Sequence, residues 1–121
     1  MTQPLPTALG PYRLSVDAGD FVFLSGQVGL SPVNGELAGE TTEAQAKQAL
    51  ENIKAVLESQ KLSLSKVVKT TIFLTDMGDF AAVNKVYAEY FTTDFPARST
   101  VAVKTLPKNA RVEIEAIAKK N

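Results

Sequence analysis

Val67-Val68-Lys69-Thr70-Thr71-Ile72-Phe73-Leu74 is rich in β-branched residues, contains one aromatic, and lies between two stretches of helical periodicity. Side chains of these types fit a pleated, half-buried surface, so the run predicts a strand. On its N-terminal side, Ala46, Ala49, Leu50, Ile53, Val56 and Leu57 recur at the spacing of one helical face, and Thr42 and Gln45 are spaced as a capping box. On its C-terminal side, Asp76, Gly78 and Asp79 offer turn and N-cap chemistry before a second amphipathic helix over residues 80–91. A strand bracketed by helices is therefore the centre of the chain.

Working outward, residues 12–18 and 21–28 read as a pair of strands joined through Gly19-Asp20, with Gly19 supplying the turn conformation of a hairpin. Residues 99–103 and 111–118 complete the set. The order strand, strand, helix, strand, helix, strand, strand predicts an α+β layout with both helices on one face of a mixed sheet. The chain has one domain's length and shows no Pro/Gly/Ser-rich linker, charge block or repeat, so residues 1–121 read as a single domain.

The alternation of a pleated strand places Phe21, Phe23, Ser25 and Gln27 on one face, with Val67, Lys69, Thr71 and Phe73, and Glu113, Glu115 and Ile117, on the corresponding faces of their strands. Two helices cover only one side of such a sheet. Phenylalanines left on the other side predict an association surface, and hence a homo-oligomer with polar clefts between subunits.

Composition narrows the chemistry. The sequence has no cysteine and no histidine, which excludes disulfides, thiol nucleophiles, Cys/His zinc sites and any Ser-His dyad. The acidic residues lack calcium-loop spacing, and no metal is expected. The 13 basic and 13 acidic residues balance, which removes the footprint of a non-specific nucleic-acid or anionic-membrane binder and points to a small ligand. No apolar run exceeds four residues and Met1-Thr2-Gln3-Pro4 lacks the regions of a secretion signal, so a soluble, cytoplasmic protein is expected. With this inventory, any reaction should begin from a substrate that is already electrophilic.

Arg98, one of three arginines, stands in Phe95-Pro96-Ala97-Arg98-Ser99-Thr100 at the mouth of an apolar strand. A guanidinium there is suited to a planar carboxylate. Tyr12 opens the first strand, Ser25-Gly26 lies near the end of the second, Asn84 lies on the second helix and Glu113 in the last strand. Each also has a plain structural reading: a loop charge, an edge aromatic, a bulge, a satisfied core amide and a sheet-surface charge. Asn84 shares a helical stripe with Phe80, Tyr87 and Phe91, and holding the loop before Arg98 would satisfy it.

Gly10-Pro11-Tyr12, Ser25-Gly26-Gln27, Val68 to Leu74 followed by Asp76, Asp79-Phe80, Val83-Asn84, Tyr90-Phe91, Phe95-Pro96-Ala97-Arg98-Ser99, Leu106-Pro107 and Glu113-Ile114-Glu115-Ala116-Ile117-Ala118 together resemble the RidA (YjgF/L-PSP) family. The resemblance runs from about residue 9 to residue 118 and rests on the order and spacing of these elements. It implies a chorismate-mutase-like fold, a barrel-shaped homotrimer with sites at subunit interfaces, and cofactor-free hydrolysis of 2-imino and enamino acids such as 2-iminobutanoate and 2-iminopropanoate to 2-keto acids and ammonia.

The resemblance further implies that Arg98 is the arginine for the substrate carboxylate and Glu113 the site glutamate, and imine chemistry suits Glu113 to orient the attacking water or relay its proton. Tyr12 and Ser25 would line the pocket, Gly26 would lie against substrate, and Asn84 would support the site from behind. Many members carry cysteine where this chain has Thr100, so a thiol-dependent role is not expected here, although Thr100 could contact substrate through its hydroxyl or backbone. Two other functions are compatible with the resemblance: a regulatory module that binds a keto acid without turnover, and an endoribonuclease or translation inhibitor. Zero net charge and the absence of histidine disfavour the second.

Overall fold

The computed structural model describes residues 4–121; residues 1–3, part of the start read above for a targeting signal, lie outside the described residues. Five strands and two α-helices follow one another as β1 (Ser15–Ala18), β2 (Phe21–Val28), α1 (Thr42–Ser59), β3 (Val67–Leu74), α2 (Phe80–Tyr90), β4 (Ala97–Ala102) and β5 (Val112–Lys119). The sheet order is β1-β2-β5-β3-β4. Only β3 and β4 pair in parallel, and α2 is the crossover their common direction requires. β5 pairs antiparallel with both β2 and β3, so β2 and β3 run in the same direction with the last strand inserted between them. Among the described residues no helix is long and apolar enough to cross a membrane.

The helices cover one face of the sheet. Leu50, Ile53, Val56 and Leu57 of α1 and Val83, Val86 and Tyr87 of α2 bury against Val22, Leu24, Ile72, Leu74, Val112, Ile114 and Ala116. Gly19, at φ +72°, makes the β1–β2 turn. The opposite face leaves Phe21, Phe23 and Val101 exposed.

Several local expectations change. Residue 12 lies outside β1, which starts at Ser15, and Tyr12 instead closes a tight turn by donating its backbone N–H to Gly10 O at 2.8 Å. The N-cap of α1 is Thr41, whose extended backbone lets its side chain accept from Ala44 N. Thr42 is already helical, and its hydroxyl donates to Asp79 Oδ2 at 2.7 Å, linking the helices. Gln45 serves tertiary structure, donating to Gly39 O and accepting from Arg111 N. Before α2 it is Asp76 whose side chain caps a short 3-10 turn, accepting from Gly78 N, while Asp79 makes no side-chain cap bond. Phe91 ends α2 as its C-cap.

Two register shifts also move residues between faces. One lies between Leu24 and Gln27 on β2, and the other between Val67 and Lys69 on β3. Gln27 therefore pairs with buried Ile114, and Val67 with buried Ala118, so both turn toward the helices, not toward the phenylalanine face.

Candidate active site

Candidate residues from three segments meet where β2 bulges. Ser25 Oγ donates to Arg13 O at 2.6 Å and Ser25 N–H to Leu14 O at 3.0 Å, which ties the bulge to the segment entering β1. Gly26 leaves room for the carboxylate of Glu113: a β-carbon at position 26 would touch Glu113 Oε2 and stand 2.9 Å from Cδ. Tyr12 approaches from the Gly10-Pro11 turn, its phenol oxygen accepting from Leu9 N at 3.0 Å. Tyr12, Ser25, Gly26, Glu113 and Glu115, with Leu9 and Pro107, line an open cleft of about 380 Å³. Half-burial pushes the Glu113 carboxyl above its usual range, and the neighbouring Glu115 charge pushes it in the same direction. Among the described residues, no three acidic side chains converge as a metal site.

A second group forms around β4, which begins at Ala97 and so includes Arg98. Arg98 pairs with Thr70, and Thr100 with Ile72, both nearly inaccessible residues of the helix-facing side of β3. That parity points Arg98 and Thr100 toward α2. Arg98 Nη2 donates to Asn84 Oδ1 at 2.6 Å, so Asn84 holds the arginine itself and not the loop before it. The guanidinium carbon lies 4.9 Å from the Tyr87 ring centroid and 5.5 Å from that of Phe80. Phe80, Asn84 and Tyr87 follow one another at helical spacing along α2 and make a slot for one cation. Burial raises the Tyr87 phenol pKa, against the opposing pulls of a Thr70 hydrogen bond and the Arg98 charge. The Thr100 hydroxyl is buried without a hydrogen-bond partner among the described residues.

Within one chain the candidate residues thus fall into two groups. Tyr12, Ser25, Gly26 and Glu113 gather on one side; Arg98, Asn84 and Thr100 lie on the other face of the sheet. β3 separates the strand of Glu113 from that of Arg98, and two strand spacings amount to about 10 Å. The supports of Arg98 other than Asn84 were not singled out from sequence, although the stripe Phe80, Asn84, Tyr87 was the signal that could have found them.

A family model described as Endoribonuclease L-PSP matches residues 2–120. The chain belongs to the L-PSP (RidA) family. Among relatives of this L-PSP chain, a 2-iminobutanoate/2-iminopropanoate deaminase of Salmonella typhimurium is 48% identical over 120 residues, covering 97% of this chain and 93% of the relative. The Reactive Intermediate Deaminase A of Arabidopsis thaliana chloroplasts is 48% identical over 117 residues, covering 97% of this chain and 63% of the relative. The crystal structure of the YjgF gene product of E. coli superposes with a TM-score of 0.92 at 45% identity, covering 98% of this chain and 94% of that one. E. coli TdcF with bound serine gives 0.93 at 43% identity, covering 100% of this chain and 97% of that one. Two helices on a five-stranded mixed sheet are thus the L-PSP fold, as the order of elements in the sequence implied.

Proposed function

We propose that this protein hydrolyses small 2-imino acids to 2-keto acids and ammonia, in sites completed between copies of the chain. The observation that carries the reading is the half-buried Glu113 carboxylate over Gly26 in an open cleft, with an arginine held by Asn84 on the other face of the same sheet. Sequence relatives named as imine deaminases support it, and the serine held by TdcF supports a small ligand bearing a carboxylate.

The chemistry suits these side chains. A protonated imine carbon is already electrophilic, so the protein must orient substrate, position water and move protons. Arg98 of one copy pairs with the substrate carboxylate through the guanidinium donors that Asn84 leaves free. Glu113 of another copy takes a proton as water adds to the imine carbon. The resulting carbinolamine carries the new C–O bond; Glu113 returns its proton to the nitrogen, the C–N bond breaks as the oxygen lone pair forms the carbonyl, and the hydroxyl proton passes to the departing ammonia, leaving the keto acid and ammonium. Tyr12 shields the cleft from bulk water, Ser25 and Gly26 border it, and Thr100 lies beside Arg98 on the same strand face.

Sharing of sites follows from the division within one chain and from the open sheet face. Fully burying a phenylalanine is worth about 1.5–3 kcal/mol, and Phe21 and Phe23 remain 43% and 46% exposed. A homotrimer that covers this face gains the share of that energy belonging to the exposed fraction, less than half for each ring, and brings a second chain to each cleft. The expected result is that purified protein scatters light as a trimer and speeds keto-acid release from an amino-acid dehydratase reaction above free imine decay. A stable monomer with full activity would overturn the shared site; a trimer without acceleration would leave keto-acid binding as the better reading.

A pH profile tests the base. Loss of the Glu115 charge removes one of the two causes that raise Glu113, so Glu115→Gln should shift the acidic limb of kcat/KM to lower pH. An unmoved limb would assign that ionisation to another group.

A further inference from the structure

We infer that Tyr87, fixed by Thr70, is a positioning residue that sets the plane of the Arg98 guanidinium. The inference rests on the reading of Arg98 as carboxylate anchor. An arginine on a sheet-edge strand has many rotamers, and a group ordered before binding loses less entropy when substrate arrives. Three contacts restrict Arg98. Asn84 takes one N–H in the plane of the fork, at 2.6 Å. The guanidinium carbon lies over the Tyr87 ring, 4.9 Å from its centroid, and over the Phe80 ring at 5.5 Å, and both ring faces attract the cation.

The Tyr87 ring is itself held. Its hydroxyl and that of Thr70 are hydrogen-bonded at 2.7 Å in a buried setting, and the Phe91 ring packs against it at 4.6 Å between centroids, tilted by 31°. Thr70 is also the β3 residue paired directly with Arg98. One residue therefore fixes the arginine's neighbouring backbone and the platform under its side chain. A tyrosine needed only for packing would have no reason to face the guanidinium.

The test measures binding of 2-oxobutanoate by titration calorimetry, together with KM and kcat for the enzymatically generated imine, on the assembled full-length protein. Tyr87→Leu removes the ring and should weaken 2-oxobutanoate binding and raise KM about two- to thirtyfold, with kcat within about twofold of wild type. Thr70→Val combined with Tyr87→Phe removes both hydroxyls, keeps the ring and leaves no orphaned partner, so the thermal midpoint should stay near wild type while affinity falls by a smaller factor.

Both sets are then placed in an Arg98→Ala background, where neither should weaken binding further. A folded Tyr87→Leu with unchanged affinity, or a loss equally large without Arg98, overturns the inference while leaving the anchor intact. If Tyr87→Leu does not fold, unchanged affinity in the Thr70→Val/Tyr87→Phe protein overturns it. If Arg98→Ala alone binds 2-oxobutanoate like wild type, the anchor reading is wrong and the positioning role falls with it.

Discussion

Gly26→Ala is expected to fold and assemble like the wild type and to lose about a hundredfold or more in kcat/KM. The added methyl would occupy the place of the Glu113 carboxylate, and what it meets is the tip of a flexible side chain, not backbone. Glu113 can swing away at little cost in stability, but not without abandoning its position in the cleft. A general base displaced from its water forfeits a contribution of about 10²–10⁴ in rate. Gly29→Ala is the control. A β-carbon there stands 2.7 Å from Gln45 Cα and 2.8 Å from its carbonyl carbon, so the helix itself would have to move. That variant should lower the thermal midpoint. Steady-state hydrolysis and thermal unfolding of both proteins separate the two effects. A fully active Gly26→Ala would mean that the location of the Glu113 carboxylate does not matter to catalysis.

Arg98→Ala is expected to abolish most hydrolysis while folding and assembly match those of the wild type. A hydrogen bond to a charged group is worth about 1.5–3 kcal/mol, so losing the grip should cost about ten- to hundredfold or more in kcat/KM. Arg98→Lys should stay impaired. A lysine keeps the charge, but an ammonium lacks the planar fork that serves Asn84 and a carboxylate together. The measurement is hydrolysis of an enzymatically generated 2-imino acid by wild type and both variants, with assembly checked by light scattering. A correctly assembled Arg98→Ala that matches wild type would leave the residue with a structural role only, in its contacts with Asn84, Phe80 and Tyr87.

The central elements were legible because their signals were strong and local. β2 and β3 begin and end where their β-branched and aromatic runs do, and the stripe from Ala46 to Leu57 is the buried face of α1. The misread positions share a different cause. Thr41 and Thr42 are adjacent and chemically equal, so the choice of cap depends on which backbone is extended, a property that side-chain spacing does not encode. Gln27 and Val67 were placed by strict alternation, and one extra residue at each register shift inverts everything beyond it.

The candidate site divides in the same way. Its residue types and motifs were legible, and so was a partner for Asn84 near Arg98. The division between faces was not. Arg98 faces α2 because β4 pairs in parallel with β3 at Thr70, while Glu113 faces the other way because β5 pairs with Phe73 there. Both are pairing facts, set by long-range contacts that no local pattern records.

The division has a genetic consequence. One contiguous stretch, from β3 through α2 to β4, supplies Arg98 and everything that holds it, whereas the Glu113 cleft is built from the opening segment and hairpin and from the closing strand. If each site draws one half from each of two neighbouring chains, a lesion in the first half and a lesion in the second damage different contributions. Two alleles, each null alone, would then complement within one cell, because some junctions in their mixed assemblies receive both intact halves. Two alleles altered in the same half would never do so.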